Sequence, residues 1–452
     1  MTALPDGPLV AWYGDDFTGS AATMEVLAFA GVPSVLFLDI PTEAQRARFP
    51  LARAIGIAST ARSHSPDWME RHLPPAFRWL AGLGAPVVHY KVCSTLDSAP
   101  HVGSIGRAID IGLREIGSDW VPCLLAAPPL RRYQAFGQLY AAAGDAVYRL
   151  DRHPVMARHP VTPMDEADVA RHLSRQTDQP FGLVDAEALE GDAAAALARA
   201  RAQGARVICL DTMRAAHMQT CGALIWEHRD GPRFAVGSQG IEYALVAHWR
   251  NTGALPVTDL SAGAGPVARL LAVSGSVSPT TAAQIAWAEA NGFAVIALDA
   301  AAVACGDGAA EARAVEAAKA ALGAGRDPLI CTARGPDDPA VASMRGAVAD
   351  KGIAPETANT AIGAALGRVL RQLLRETGLR RAVISGGDTS GHAARQLGLY
   401  AFTALAPTIP GAALLRAHSE DSNFDGLELA LKGGQMGSPD YFGWIKRGGG
   451  AA

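Results

Sequence analysis

Short apolar runs alternate along the chain with longer stretches in which alanine, leucine and polar residues recur at helical spacing. The runs lie at 9–13, 34–38, 54–58, 86–90, 123–126 and 207–210, then at 271–273, 294–298, 329–332 and 381–384. Between them, 21–30, 192–203, 280–291, 311–322 and 360–377 carry the spacing of amphipathic helices. Strand and helix in steady alternation predict an α/β protein whose mainly parallel sheets are flanked by helices on both faces. The pattern predicts an architecture and leaves the chemistry open.

The periodicity lapses at 251–266, where Asn-Thr-Gly-Ala-Leu-Pro and Ser-Ala-Gly-Ala-Gly-Pro bring in turn formers. With 452 residues and roughly 100 to 200 residues per domain, the expected organisation is two domains, 1–250 and 266–447, facing each other across a cleft. The segment 130–168 differs from its surroundings. It holds Arg131, Arg132, Arg149, Arg152, His153, Arg158 and His159 together with prolines at 154, 160 and 163, and reads as a long insertion or lid that faces substrate.

Composition narrows the class. Apolar residues make up 49% and charged residues 19%, a globular balance, and a net charge of -4 without a basic patch argues against a nucleic-acid partner. Six scattered cysteines lack close Cys-x-x-Cys spacing, so neither a zinc site nor a disulfide framework is signalled, and no metal ligand set is assigned. Residues 1–8 do not read as a secretory signal, and no apolar stretch reaches the ~18 residues of a membrane span. A cytoplasmic protein is expected.

The candidate chemistry follows the strands. Gly14-Asp15-Asp16-Phe17-Thr18-Gly19-Ser20 sits between the first apolar run and a helix, where an α/β enzyme presents its ligands. One aspartate suits the helix cap and the other a ligand hydroxyl. Lys91 ends an apolar strand, where a lysine needs an acid or a bound anion, and Ser94, Thr95 and Asp97 follow it. Arg62 also lies just past a strand, with a planar fork suited to a carboxylate.

In the second half, Ser385-Gly386-Gly387-Asp388-Thr389-Ser390-Gly391 leads from a strand into a helix, and Ser274-Gly275-Ser276-Val277-Ser278-Pro279 does the same. Such turns let backbone amides and a helix N-terminus approach a phosphate. Lys432-Gly433-Gly434-Gln435-Met436-Gly437 adds a lysine that would close the cradle. No Walker lysine motif is present.

Taken together and in order, the acidic turn 14–20, Lys91-Val92-Cys93-Ser94-Thr95-Leu96-Asp97-Ser98, the two serine and glycine turns and the Lys432–Gly437 ending resemble the four-carbon acid sugar kinase family over nearly the whole chain. Arg158-His159-Pro160-Val161-Thr162-Pro163-Met164 matches that family's His-Pro-x-Thr-Pro-Met pattern. Pro128-Pro129-Leu130-Arg131-Arg132 departs from its Pro-x-x-Gly-Arg segment and widens the substrate choice to the branched 3-oxo-isoapionate.

The resemblance implies an ATP- and Mg²⁺-dependent kinase for a tetronate, a 3-oxo-tetronate or 3-oxo-isoapionate, with room for a homodimer. Asp16 is then the first choice for handling the acceptor hydroxyl and Asp15 the second. Arg62, Lys91, Ser94, Thr95, Asp97, Arg132 and His159 fall on the substrate side. Ser274, Ser276, Ser278, Gly386, Gly387, Asp388, Thr389, Lys432, Gly433, Gly434 and Gly437 fall on the nucleotide side, and Asp388 could organise magnesium. An NAD(P)-dependent dehydrogenase is the rival enzyme, disfavoured by the absence of Gly-x-Gly-x-x-Gly after the first strand; a non-catalytic sugar-acid sensor needs only the cleft.

Overall fold

The computed structural model describes residues 3–159, 161–227, 231–258 and 262–450, apart from the side chain of Asp388. The chain divides into two compact units, Met1–Thr258 and Asp259–Ala452. Among the described residues, no helix is long and apolar enough to cross a membrane.

The strands of the first unit are β1 (Val10–Gly14), β2 (Ser34–Phe37), β3 (Ala54–Ala58), β4 (Val87–Lys91), β5 (Val121–Leu124), β6 (Arg132–Ala135), β7 (Gln138–Ala143), β8 (Ala146–Arg149), β9 (Phe181–Val184), β10 (Val207–Leu210) and β11 (Arg233–Gly237). The main sheet runs β2-β3-β1-β4-β11-β5-β10-β9, with every neighbouring pair parallel. Every residue of β1 and β4 is buried, which explains their unbroken apolar character. Met69, Leu73 and Phe77 of the helix Pro66–Ala81 and Ile105 and Ile109 of the helix Ile105–Glu115 share a core with Tyr13 and Tyr90 of the sheet.

Register decides where the chemistry falls. Gly14 pairs with Ala58 on one side and Lys91 on the other, so the residues that follow β1 and β3 and the end of β4 share the carboxyl edge. The chain passes from β1 to β2, returns through β3, and then crosses to β4. Its direction of travel across the sheet therefore reverses between β1 and β4, the kind of switch point where α/β sheets hold ligands.

The second unit repeats this order. Its strands are β12 (Leu271–Ser274), β13 (Phe293–Ala297), β14 (Asp327–Cys331), β15 (Arg381–Ser385), β16 (Leu399–Ala406), β17 (Leu414–Ser419) and β18 (Glu428–Lys432). β13, β14, β12, β15 and β18 lie parallel in that sequence, and β17 and β16 continue the sheet antiparallel. The switch point falls between β12 and β15, and Ser274, Ser385 and Lys432 share one register row.

The segment expected as a long lid contains a separate 3-stranded antiparallel sheet, β6-β7-β8. Its first turn places Phe136 at φ 50° and Gly137 at φ 76°. Asp211, fully buried at the end of β10, latches that turn by accepting from the backbone N–H of Phe136, from Gly137 N–H at 3.0 Å and from Gln134 Nε2 at 3.1 Å. Sequence inspection missed these strands because they are short and largely half-exposed or exposed, and their anchor lies far away along the chain.

Candidate active site

Asp15 and Asp16 leave β1 together and meet on one guanidinium. Arg62 donates to Asp15 through Nε at 3.2 Å and Nη2 at 2.7 Å, and Nη2 also reaches Asp16 Oδ1 at 3.0 Å. Arg62 is placed by its own backbone, whose N–H donates to the Asp15 carbonyl at 3.0 Å. Asp16 is also the N-cap of the helix Phe17–Phe29: it accepts from Gly19 N–H at 3.0 Å and from the Thr18 hydroxyl at 2.7 Å. One aspartate thus combines the cap and a place in the polar cluster, roles that the sequence reading divided between two residues.

The pair is electrostatically unequal. The Asp15 side chain is 1% exposed and that of Asp16 21%. Burial raises the Asp15 pKa even though Arg62 opposes the shift. Burial would raise that of Asp16 too, but Arg62, Lys91, the Thr18 hydroxyl and the Gly19 amide together hold it below the ordinary carboxylate value. Asp16 is the more reachable of the two and the one whose ionised form its surroundings favour.

Lys91 is buried, and its ammonium donates to the Val92 carbonyl at 2.7 Å. A Cβ added at Gly19 would collide with Asp16 Oδ1 and lie 2.7 Å from Lys91 Nζ, so the close approach of acid, helix start and ammonium requires a glycine there. Just past Lys91, the Thr95 hydroxyl donates to Asp97 at 2.7 Å and stands 2.9 Å from Cys93 Sγ; Ser94 is half-buried in the same turn. Burial pushes the Cys93 thiol up to about 11, so it stays protonated. Cys93 and Asp97 lie within electrostatic reach of both Arg62 and Arg132.

Arg132 stands at the start of β6. Arg131 before it adopts φ 55°, a left-handed backbone uncommon for a residue with a side chain, and its guanidinium spans the next turn to the carbonyls of Gly144 and Asp145. His159 lies apart from this cluster in its hydrogen bonding: its Nδ1 accepts from Thr162 N–H at 3.1 Å and stands 3.0 Å from the Thr162 hydroxyl. His159 and Thr162 of the motif thus bond to each other, and no described hydrogen bond or ion pair joins His159 to Asp15, Asp16, Arg62 or Lys91.

The second unit brings the three glycine turns together. Gly275 N–H donates to the Ser385 carbonyl at 3.0 Å and Gly386 N–H to the Lys432 carbonyl at 2.8 Å. Ser278 caps the helix Pro279–Ala290, and its hydroxyl donates to the Gly434 carbonyl, which also accepts from Thr281 at 3.1 Å. Gly386 has φ 124° and an added Cβ there would press on Thr389 Oγ1 at 2.8 Å; one at Gly434 would meet Ser276 Oγ at 2.6 Å. Gly387 faces open space, and Gly433 has only the Met436 side chain near it. Gly437, at φ 98°, packs beside Gln284.

Within this cradle Lys432 is wholly buried, donating to Gly433 carbonyl at 2.9 Å and Thr281 Oγ1 at 3.3 Å. With no carboxylate among its described partners, burial pulls its pKa down to about 8. Ser274 Oγ and Ser385 Oγ are buried without a hydrogen-bond partner. The Asp388 side chain lies outside the described residues. Orphaned hydroxyls, a lysine with no carboxylate among its described partners and glycines that keep side chains away fit a polyanion such as a nucleotide phosphate.

The model of the sugar-binding N-terminal domain matches residues 10–245 and that of the nucleotide-binding C-terminal domain matches residues 271–442. A 3-oxo-isoapionate kinase from Paraburkholderia graminis is 48% identical over 99% of this chain and 96% of its own length. The chain belongs to the four-carbon acid sugar kinase family. A 3-oxo-tetronate kinase of the family from Methylobacterium radiotolerans is 32% identical over 95% of this chain and 96% of its own. Among solved structures, a Salmonella typhimurium LT2 protein named provisionally as a tRNA synthase has TM-score 0.79 at 25% identity, covering 97% of this chain and 98% of that one.

Several participants carried no signal in the sequence. Thr281 and Gln284 face the cradle from a helix, with Gln284 Nε2 donating to the carbonyls of Met436 and Ser438 at 3.0 Å each. His172 is buried with Nε2 3.0 Å from the Ser98 hydroxyl, which in turn donates to the Leu96 carbonyl at 3.0 Å. Leu96 itself sits at φ 60°, so this chain of contacts braces the strained turn that carries Asp97. A buried histidine between helix and loop looks in sequence like any other core histidine.

Proposed function

We propose that this protein transfers the γ-phosphoryl group of ATP to a hydroxyl of 3-oxo-isoapionate. The observation that carries the reading is that the chain holds both an acid, arginine and lysine edge at β1/β4 and a glycine, serine and lysine cradle at β12/β15 with no carboxylate among the described partners of its lysine. The 48% identity to a 3-oxo-isoapionate kinase supports the branched acid as acceptor.

ATP, when bound, supplies the phosphoryl group and ADP as its leaving group. Lys432, the Gly434 amide and the Ser274, Ser276 and Thr389 hydroxyls hold its phosphates, while the Gly275 and Gly386 amides and the Ser278 hydroxyl tie the three turns to one another. Asp16 accepts a hydrogen bond from the acceptor hydroxyl and takes its proton as the new O–P bond forms and the bridging P–O bond breaks. A loose phosphoryl-transfer transition state asks more for positioning than for base strength, so a carboxylate with a low pKa suffices. Asp15 is the buried counterweight that fixes Arg62, and Lys91 steadies the charge on Asp16 and on the incoming substrate. Mg²⁺ would accompany the nucleotide as MgATP, held by phosphate and water oxygens, with Asp388 the side chain to organise it.

The test is ADP release with MgATP and a panel containing 3-oxo-isoapionate, 3-oxo-tetronate, threonate and erythronate. Release that is fastest with 3-oxo-isoapionate is expected. Preference for 3-oxo-tetronate would move the protein to the other branch of its family, and no release with any acid would remove the kinase reading.

A further inference from the structure

Arg62 and Lys91 look in sequence like the receptors for a substrate carboxylate, yet in the structure Asp15 and Asp16 already balance them. Arg132 differs. No described carboxylate forms an ion pair with it, and its Nε is buried with no acceptor. Its Nη1 is tied to the carbonyls of Leu130 at 3.1 Å, Arg131 at 3.3 Å and Ala142 at 3.4 Å. Those bonds fix the guanidinium plane and leave the edge formed by Nε and Nη2 without a described acceptor. That edge is the fork that receives a carboxylate in two parallel hydrogen bonds.

The surroundings point the same way. Arg132, carried by the inserted sheet, lies within electrostatic reach of Asp97 and Cys93, the same turn that lies within reach of Arg62. The inserted sheet is itself rigidly held, since buried Asp211 receives donors from Gln134, Phe136 and Gly137. A half-buried cation whose Nε is buried and unpaired, on a latched element, gains when a ligand supplies the missing acceptor.

We infer that Arg132 is the residue that recognises the carboxylate of the sugar acid, while Arg62 organises the two aspartates and leaves the acid group to Arg132. The inference rests on the sugar-acid kinase reading and adds to it the residue that separates acids from neutral polyols. It makes the inserted sheet the specificity element of the first unit.

The experiment compares wild type, Arg132→Met, Arg132→Lys and Arg131→Gly in ADP release, and in calorimetric binding of 3-oxo-isoapionate and of MgATP measured separately. Arg132→Met is expected to weaken sugar-acid binding about ten- to a hundredfold, the worth of a charge-assisted hydrogen bond, with MgATP affinity unchanged. Discrimination against the neutral tetritol erythritol should fall by a similar factor. Arg132→Lys keeps the charge and loses the fork, so it should recover part of the affinity. Arg131→Gly removes only the guanidinium bonded to the neighbouring turn and should bind the acid as wild type does. Wild-type affinity for the acid in Arg132→Met overturns the inference; if that variant does not fold, wild-type affinity in Arg132→Lys overturns it. A wild-type enzyme that releases no ADP with any acid overturns the kinase reading, an outcome distinct from either variant result.

Discussion

At the β1/β4 edge two cations stand against two carboxylates, whereas at the β12/β15 edge Lys432 is buried with only hydroxyl and carbonyl partners described. Both edges come from the same strand order, β2-β3-β1-β4 in one unit and β13-β14-β12-β15 in the other. The difference lies in what the turns after the strands carry. An edge with ionised acids offers acceptors for hydroxyl protons and repels free polyphosphate. An edge of glycines, hydroxyls and an ammonium with no carboxylate among its described partners offers donors and welcomes it. One topology thus supports opposite chemistries, because function resides in the loops that a parallel sheet aligns.

The largest expected break in this comparison is Asp16→Asn. Losing the acceptor of the hydroxyl proton should lower kcat by about 10² to 10⁴, while calorimetry finds MgATP affinity unchanged, since the nucleotide cradle is in the other unit. An equal loss of nucleotide affinity would mean that the two edges are not chemically separate. Arg62→Met should follow. It leaves buried Asp15 without its counterion, and chemical denaturation should show destabilisation on the order of 3 kcal/mol, besides loss of turnover.

On the other edge, Gly386→Ala asks a side chain to adopt φ 124° beside Thr389. Strain of about 1 to 3 kcal/mol should appear as weaker MgATP binding with sugar-acid binding preserved. The smallest effect is one of pH. Lys432 begins near 8 in the free protein because burial disfavours its charge, and phosphate binds the protonated form. MgATP affinity should therefore be fullest below pH 8 and decline as pH rises through it. The sign for stability is opposite: the free protein carries the cost of a buried charge below pH 8 and sheds it as pH rises toward the ordinary lysine value. Lys432→Met should flatten this pH dependence of nucleotide binding; a slope that persists in that variant would assign the titration to another group.

The strand and helix alternation was readable because buried parallel strands and amphipathic helices write their periods directly into neighbouring residues. The runs at 34–38, 54–58 and 381–384 lie on β2, β3 and β15, and the helical spacing at 360–377 lies within Pro355–Thr377. The antiparallel strands β6, β7 and β8 were not readable. They are short and half-exposed, and their anchor, Asp211, is remote in sequence. The same reason hid Thr281, Gln284 and His172, whose partners lie far along the chain.

Sequence alone determined the α/β class, the family and the residue types at each turn, because these depend on local order and on motifs that survive as strings. Tertiary structure decided the balance of charge. It set Arg62 against both aspartates, buried Lys432 without a carboxylate among its described partners and left Arg132 Nε buried without an acceptor. Electrostatic compensation depends on distance and burial across the fold, and neither is written in the spacing of residues along a chain.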